Sequence, residues 1–194
     1  MKTFVFISSL LASWFGAPSA PTQQELTPEV LVQRRIAADK YASSNKSSLT
    51  YYAKQPTRLL PLAGNSTVPD GTETVFTIVR NKQNKILLIT ETPTSQSGDW
   101  HIEYSQYFDD KGNRFAFKRS ASFFNSGCTP GVAHETRVRY YDPSYKSVKS
   151  TYTLTDERNK PLTKGKCTFP YNYSYTLSNT VSDYLKRNKL PATL

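Results

Sequence analysis

The sequence predicts an α+β domain in which β dominates: an antiparallel meander of about six or seven strands, flanked by an N-terminal and a C-terminal helix. Three observations predict it. From Thr72 onward apolar and polar residues alternate with a period of two, broken by short turn sequences. Helix-start signals at Thr27 and Thr180 bracket that run. Aromatic residues make up 13% of the 194-residue chain, led by 13 Tyr and 10 Phe, which is too many for a disordered polymer. A hydrophobic share of 37% and a mean hydropathy of −0.56 exclude a multispan membrane protein, and 8 Gly exclude a collagenous one.

The first twenty residues read as an address. Met1 and Lys2 form a basic start, an apolar run extends from Phe4 to Phe15, and Gly16, Ala17, Ser19 and Ala20 supply a small-residue exit. That order describes a secretory signal peptide over residues 1–20, cut after Ala20. The apolar run falls short of the roughly 20 residues that a bilayer needs. Export, to a periplasm or to the medium, places Cys128 and Cys167 in an oxidising compartment and predicts a disulfide between them. Closing that loop contributes about 3–4 kcal/mol in the chain-entropy picture. Neither cysteine lies in a C-x-x-C, and no zinc-type Cys/His spacing is present, so neither a metal nor another cofactor is expected.

Residues 21–72 carry a helix and a proline-interrupted segment. Thr27 can cap, Pro28 suits the first helical position, and Glu29 answers the positive helix end. The helix should reach about Tyr41 and end in the Ser43–Ser48 stretch. Beyond it Pro56, Pro61 and Pro69 interrupt the chain, leaving Leu49–Ala53 and Leu59–Leu62 as short edge strands. Residues 73–194 then form the β domain and its closing helix, with 21–194 read as one domain.

Strands are expected over Thr74–Arg80, Lys85–Glu91, Trp100–Asp109, Asn113–Phe124, His134–Tyr141 and Ser144–Thr155, with a short piece around Lys166–Thr176. The short turns between most of them force antiparallel neighbours. One hairpin can be read to its register. With Lys111-Gly112 as a two-residue loop, Phe108 faces Phe115, and Ile102, Tyr104, Phe108, Phe115, Phe117 and Ala121 share one face. His101, Glu103, Ser105, Asp109, Arg114, Lys118, Ser120 and Ser122 then share the other. The last helix spans about Thr180 to Lys189, with a capping-box-like start, basic residues near its end and Pro191 after it.

No catalytic signature stands out. His101-Ile-Glu103 places a histidine and a carboxylate on one side of a strand, as an acid–base pair needs, but lacks the P-C-x-x-C partner of zinc deaminases. His134 and Glu135 are adjacent and point to opposite faces. No serine sits in G-x-S-x-G, and no glycine loop cradles a phosphate. Sequons occur at Asn45, Asn65 and Asn172. The remaining signal is charge: 25 Lys and Arg against 15 Asp and Glu. If the strands pair in order, Arg114, Lys118, Arg137, Arg139 and Lys149 line one face, which suits an anionic polymer or an envelope component. Nucleic acid is the least expected anionic partner of an exported chain. The sequence therefore points to an exported, non-enzymatic binding or envelope-associated domain. The alternative is an extracytoplasmic hydrolase or cavity enzyme using His101 and Glu103. A deep pocket around those two residues would favour the enzyme, and a flat polar face the binding protein.

Overall fold

Thr27 opens the first helix as its side chain predicts: Oγ1 accepts from the Val30 amide at 3.4 Å, and Pro28 is the first helical residue. This helix, α1, covers Pro28–Ser44 and ends where Asn45 bonds back to the Tyr41 carbonyl. The computed structural model describes residues 26–64, 66–169 and 173–192. The expected signal peptide with its cut after Ala20, and the sequons at Asn65 and Asn172, lie outside them.

Among the described residues, eight strands form one antiparallel sheet. They are β1 (Leu49–Lys54), β2 (Leu59–Leu62), β3 (Thr74–Arg80), β4 (Ile86–Pro93), β5 (Trp100–Phe108), β6 (Arg114–Phe123), β7 (Ala133–Tyr141) and β8 (Ser147–Asp156). Their spatial order is β2-β1-β3-β4-β5-β6-β7-β8. The sheet is larger than the expected six or seven strands because both proline-interrupted segments join it. Pro61, which cannot donate to a ladder, sits in the edge strand β2, where it does least harm. The meander runs from β3 to β8; β2 departs from it by lying outside β1. Among the described residues, the segment around Lys166–Thr176 is not a strand. It holds a one-turn 3₁₀ helix, Lys164–Lys166, and then a strap whose described parts, 167–169 and 173–180, lie across one face of the sheet.

Four turns share one construction. Asn81, Asp109, Asp142 and Asp156 each accept two backbone N–H bonds on Oδ1, from the residues two and four positions ahead, at 2.8–3.0 Å. The fourth residue of each, Asn84, Gly112, Tyr145 or Asn159, takes a positive φ. Three-residue loops of this kind carry a bulge, and register shifts fall beside three of these turns, at Val79/Arg80, Tyr107/Phe108 and Tyr140/Tyr141. The expected register of the β5–β6 hairpin therefore holds from Trp100↔Phe123 to Tyr107↔Ala116 and fails at its tip. There Phe108 faces Arg114, not Phe115, and Arg114 turns to the opposite side of the sheet.

Both faces of the sheet are covered. On one, Leu31 and Ala38 of α1 pack on Val79, Leu88, Tyr107, Ala116, Val138 and Tyr140. A polar anchor fixes the helix: Arg35 donates to Tyr140 at 3.0 Å and pairs with Asp39, which accepts from Tyr107 Oη at 2.7 Å. On the other face lies the second helix, α2 (Val181–Asn188), capped by Thr180 Oγ1 accepting from the Asp183 amide. Its Tyr184 and Leu185 bury against Phe76, Ile78, Ile89 and Phe108. Each such side chain contributes about 1.5–3 kcal/mol on leaving water. The strap before α2 is held by inward polar side chains. Tyr104 Oη donates to the Tyr173 carbonyl at 2.6 Å, Gln106 bonds Thr176 and Ser178, and Arg114 Nε donates to the Ser178 carbonyl at 2.8 Å. Cys128 and Cys167 form a disulfide with their Cα atoms 4.8 Å apart, tying the loop after β6 to the start of the strap.

Candidate functional site

His101 and Glu103 stand where the alternation of β5 places them, on the α1 side of the sheet but beyond the helix. His101 Nε2 lies 3.1 Å from Glu103 Oε1. The cross-strand row through His101 continues to Ser122 on β6 and His134 on β7, and Ser122 Oγ is 2.8 Å from His134 Nδ1. A hydroxyl against an imidazole is the pairing a nucleophile and its base require. Here it lies on an open ladder with Ser120, Thr136 and Thr153 in the next row. The His101 side chain is 58% exposed, so solvent reaches the groups that acid–base chemistry would need sheltered. Glu135 points to the other face, as its place after His134 predicts, and is buried there.

The five cations expected on one face are divided between two. Lys118 and Lys149 lie on the α1 side, in register with Val138 and Tyr140. Lys149 Nζ is 3.2 Å from Glu29 on α1, and Lys118 Nζ is 3.7 Å from Asp39. Arg114, Arg137 and Arg139 lie on the strap side. The reason is twofold. The tip bulge reverses Arg114, and a sheet covered on both faces sends Val138 and Tyr140 one way while Arg137 and Arg139 go the other. Arg114 is structural: it is buried, its guanidinium carbon sits 3.8 Å from the Tyr141 ring centroid, and it holds the strap.

Arg137 belongs to a different cluster. On the strap side one cross-strand row reads Tyr104, Arg119, Arg137, Tyr152 over β5, β6, β7 and β8. Two neighbouring arginines would repel, and Glu135 offsets this by pairing with Arg119 Nη1. Both partners are buried, with side-chain exposures of 8% and 5%. Arg119 Nε is buried without a hydrogen-bond partner. A cleft of about 340 Å³ opens over this pair, walled by Arg137, Lys164, Phe169 and Tyr175. Arg137 and Lys164 both approach the Tyr152 ring, at 5.6 and 5.1 Å from its centroid. Tyr175 stacks on Phe117 and Tyr104 at 4.7 and 4.8 Å, and Phe169 meets Phe123 edge to face. Burial raises the Tyr104 and Tyr152 phenols while the nearby arginines oppose it, so both stay neutral donors facing a positive field.

Three cations against one carboxylate, framed by rings, can take an anion with a flat apolar side. Pattern alone does not single out Arg119, Glu135, Tyr152 and Lys164. The one signal for them in the sequence is a charged residue at an inward position, Arg119 within Phe117-x-Arg-x-Ala121-x-Phe123 and Glu135 within Ala133-x-Glu. Among the described residues no three His, Cys, Asp or Glu side chains gather as a metal site. No known protein family, curated protein or solved structure matches this chain.

Proposed function

We propose that the chain is an exported, non-enzymatic binding protein, periplasmic or secreted once residues 1–20 are removed, whose partner is an anionic polymer or an anionic component of the cell envelope. The observation that carries this reading is the basic, ring-lined cleft on the strap side, where Arg119, Arg137 and Lys164 face one opening and Arg139 extends the charge along β7. The disulfide supports export, and no described helix is long and apolar enough to cross a membrane. The full chain carries a net charge of +10, of which only Lys2 leaves with residues 1–20; the excess supplies long-range attraction, and the cleft a place for it to act.

A second reading, an extracytoplasmic hydrolase using His101 and Glu103, draws support from the Ser122–His134 hydrogen bond in the same row. The open ladder around it favours the binding protein.

Retention of the mature protein on immobilised alginate, eluted with a salt gradient, tests the first reading. The double variant R137S/R139S should bind about fivefold more weakly at low salt, since half-buried surface charges of this kind contribute about 0.2–1 kcal/mol each. Retention unchanged by both substitutions would sink it. Release of product from ester or glycosidic test substrates, abolished by His101→Ala, would establish the hydrolase instead.

A further inference from the structure

We propose that the cleft over Arg119 is a built subsite for one carboxylate of an acidic sugar, a uronate ring, rather than a stretch of diffuse charge. This assignment rests on the anion-binding function proposed for the same cleft and narrows it to a ligand class.

The floor of the cleft sets the anion. Arg119 gives Nη1 to Glu135 and keeps Nε free, a buried donor with no partner in the protein. Leaving such a donor unmatched is costly, so an acceptor brought to it gains what the fold leaves unmade. A carboxylate offers two coplanar oxygens: one can accept from the Arg119 guanidinium that lines the cleft while the other meets Arg137 or Lys164. Sulfate brings charge but no apolar face to meet the Phe169 and Tyr175 rings, so it gains only part of what the cleft offers. The walls set the rest of the ligand. Phe169 and Tyr175 present ring surface beside the cations, which suits the C–H face of a pyranose with its acid turned inward. Lys164 and Phe169 flank Cys167, so the disulfide holds two of the walls in place. Rigid walls reduce the ordering cost of binding a small ligand.

The test needs no substitution at Arg119, because removing it would strand Glu135. The mature protein is titrated with galacturonate, and the Arg119 Nε–H resonance is followed by nitrogen-15 NMR. Galacturonate should shift that resonance saturably, with a Kd on the order of 1 mM. Galactose, the same ring without the acid, should leave it unmoved, and sulfate should move it less. Lys164→Glu, at an exposed position, should weaken galacturonate about tenfold with the melting temperature unchanged. An unmoved Arg119 resonance, with alginate still retained through Arg137 and Arg139, would overturn the subsite and leave the proposed function standing. Loss of alginate retention by the unaltered protein would overturn both. Equal shifts from galactose or from sulfate would overturn the uronate assignment.

Discussion

Tyr107 shows how one buried phenol ties the helix to the sheet and fixes a pH limit. It is fully buried and donates to Asp39, and burial together with that carboxylate pushes its ionisation well above the ordinary range. Tyr184, donating to Glu91 Oε2 at 3.1 Å, is raised by burial and by Glu91. In the unfolded chain both ionise near the ordinary value of about 10. The folded state therefore holds protons that the unfolded state gives up, and the stability present below that pH is lost as pH rises through it. The slope is about 1.4 kcal/mol per pH unit for each phenol. Melting temperatures measured from pH 9 to 11 should fall steadily, and Y107F/Y184F should flatten that fall. An equal slope in the double variant would mean that other groups limit alkaline stability.

At the scale of elements, the four Asx-based turns decide where the strands of the meander start. Asp142 accepts from the Ser144 and Lys146 amides, and Asn81 fills the same role at β3–β4 without a charge. Asp142→Asn should thus be tolerated, whereas Asp142→Ala should cost about 1–2 kcal/mol, read as a shift in urea midpoint at constant m value. Equal loss in both would assign the effect to charge instead of turn geometry. These turns also explain how far the fold is legible in the sequence. Period-two alternation locates β3 to β8, and cap residues locate both helices. The loop at Lys111-Gly112 reads one residue too short, since Asp109 as an acceptor is invisible to a two-residue count. That residue decides where Arg114 points. Val138 and Tyr140 against Arg137 and Arg139 give no face either, because a sheet covered on both sides accepts apolar residues in both directions. The strap mimics a strand for a similar reason. Phe169, Tyr173, Tyr175 and Leu177 alternate because one side of an extended chain lies on the sheet, and its backbone is bonded by Tyr104 and Gln106 side chains rather than by a ladder.

For the whole molecule, the disulfide joins parts that the sheet alone does not. It spans a sequence separation of 39 and leaves the strap docked beside the β6–β7 loop, where the Thr168 amide donates to the Ser126 carbonyl at 2.7 Å. Reduction should destabilise the fold by about 3–4 kcal/mol, read as a lower melting temperature, and should weaken galacturonate binding by loosening Lys164 and Phe169. A purified mature protein with two free thiols, its intact mass two hydrogens higher, would contradict the pairing.

The strand order has a kinetic consequence. From β3 to β8 each strand pairs with the next in sequence, so its ladder closes short loops at small entropic cost. Contacts across long separations are left to α1, the strap and α2, as in Arg35–Tyr140, 105 residues apart, Tyr104–Tyr173, 69 apart, and Tyr184–Glu91, 93 apart. Topologies rich in local pairing fold quickly for β proteins. The cleft uses walls from both classes, Arg119 and Arg137 from the meander and Lys164 and Phe169 from the strap. The cleft is therefore complete only when the local ladder and the distant strap contacts are both in place.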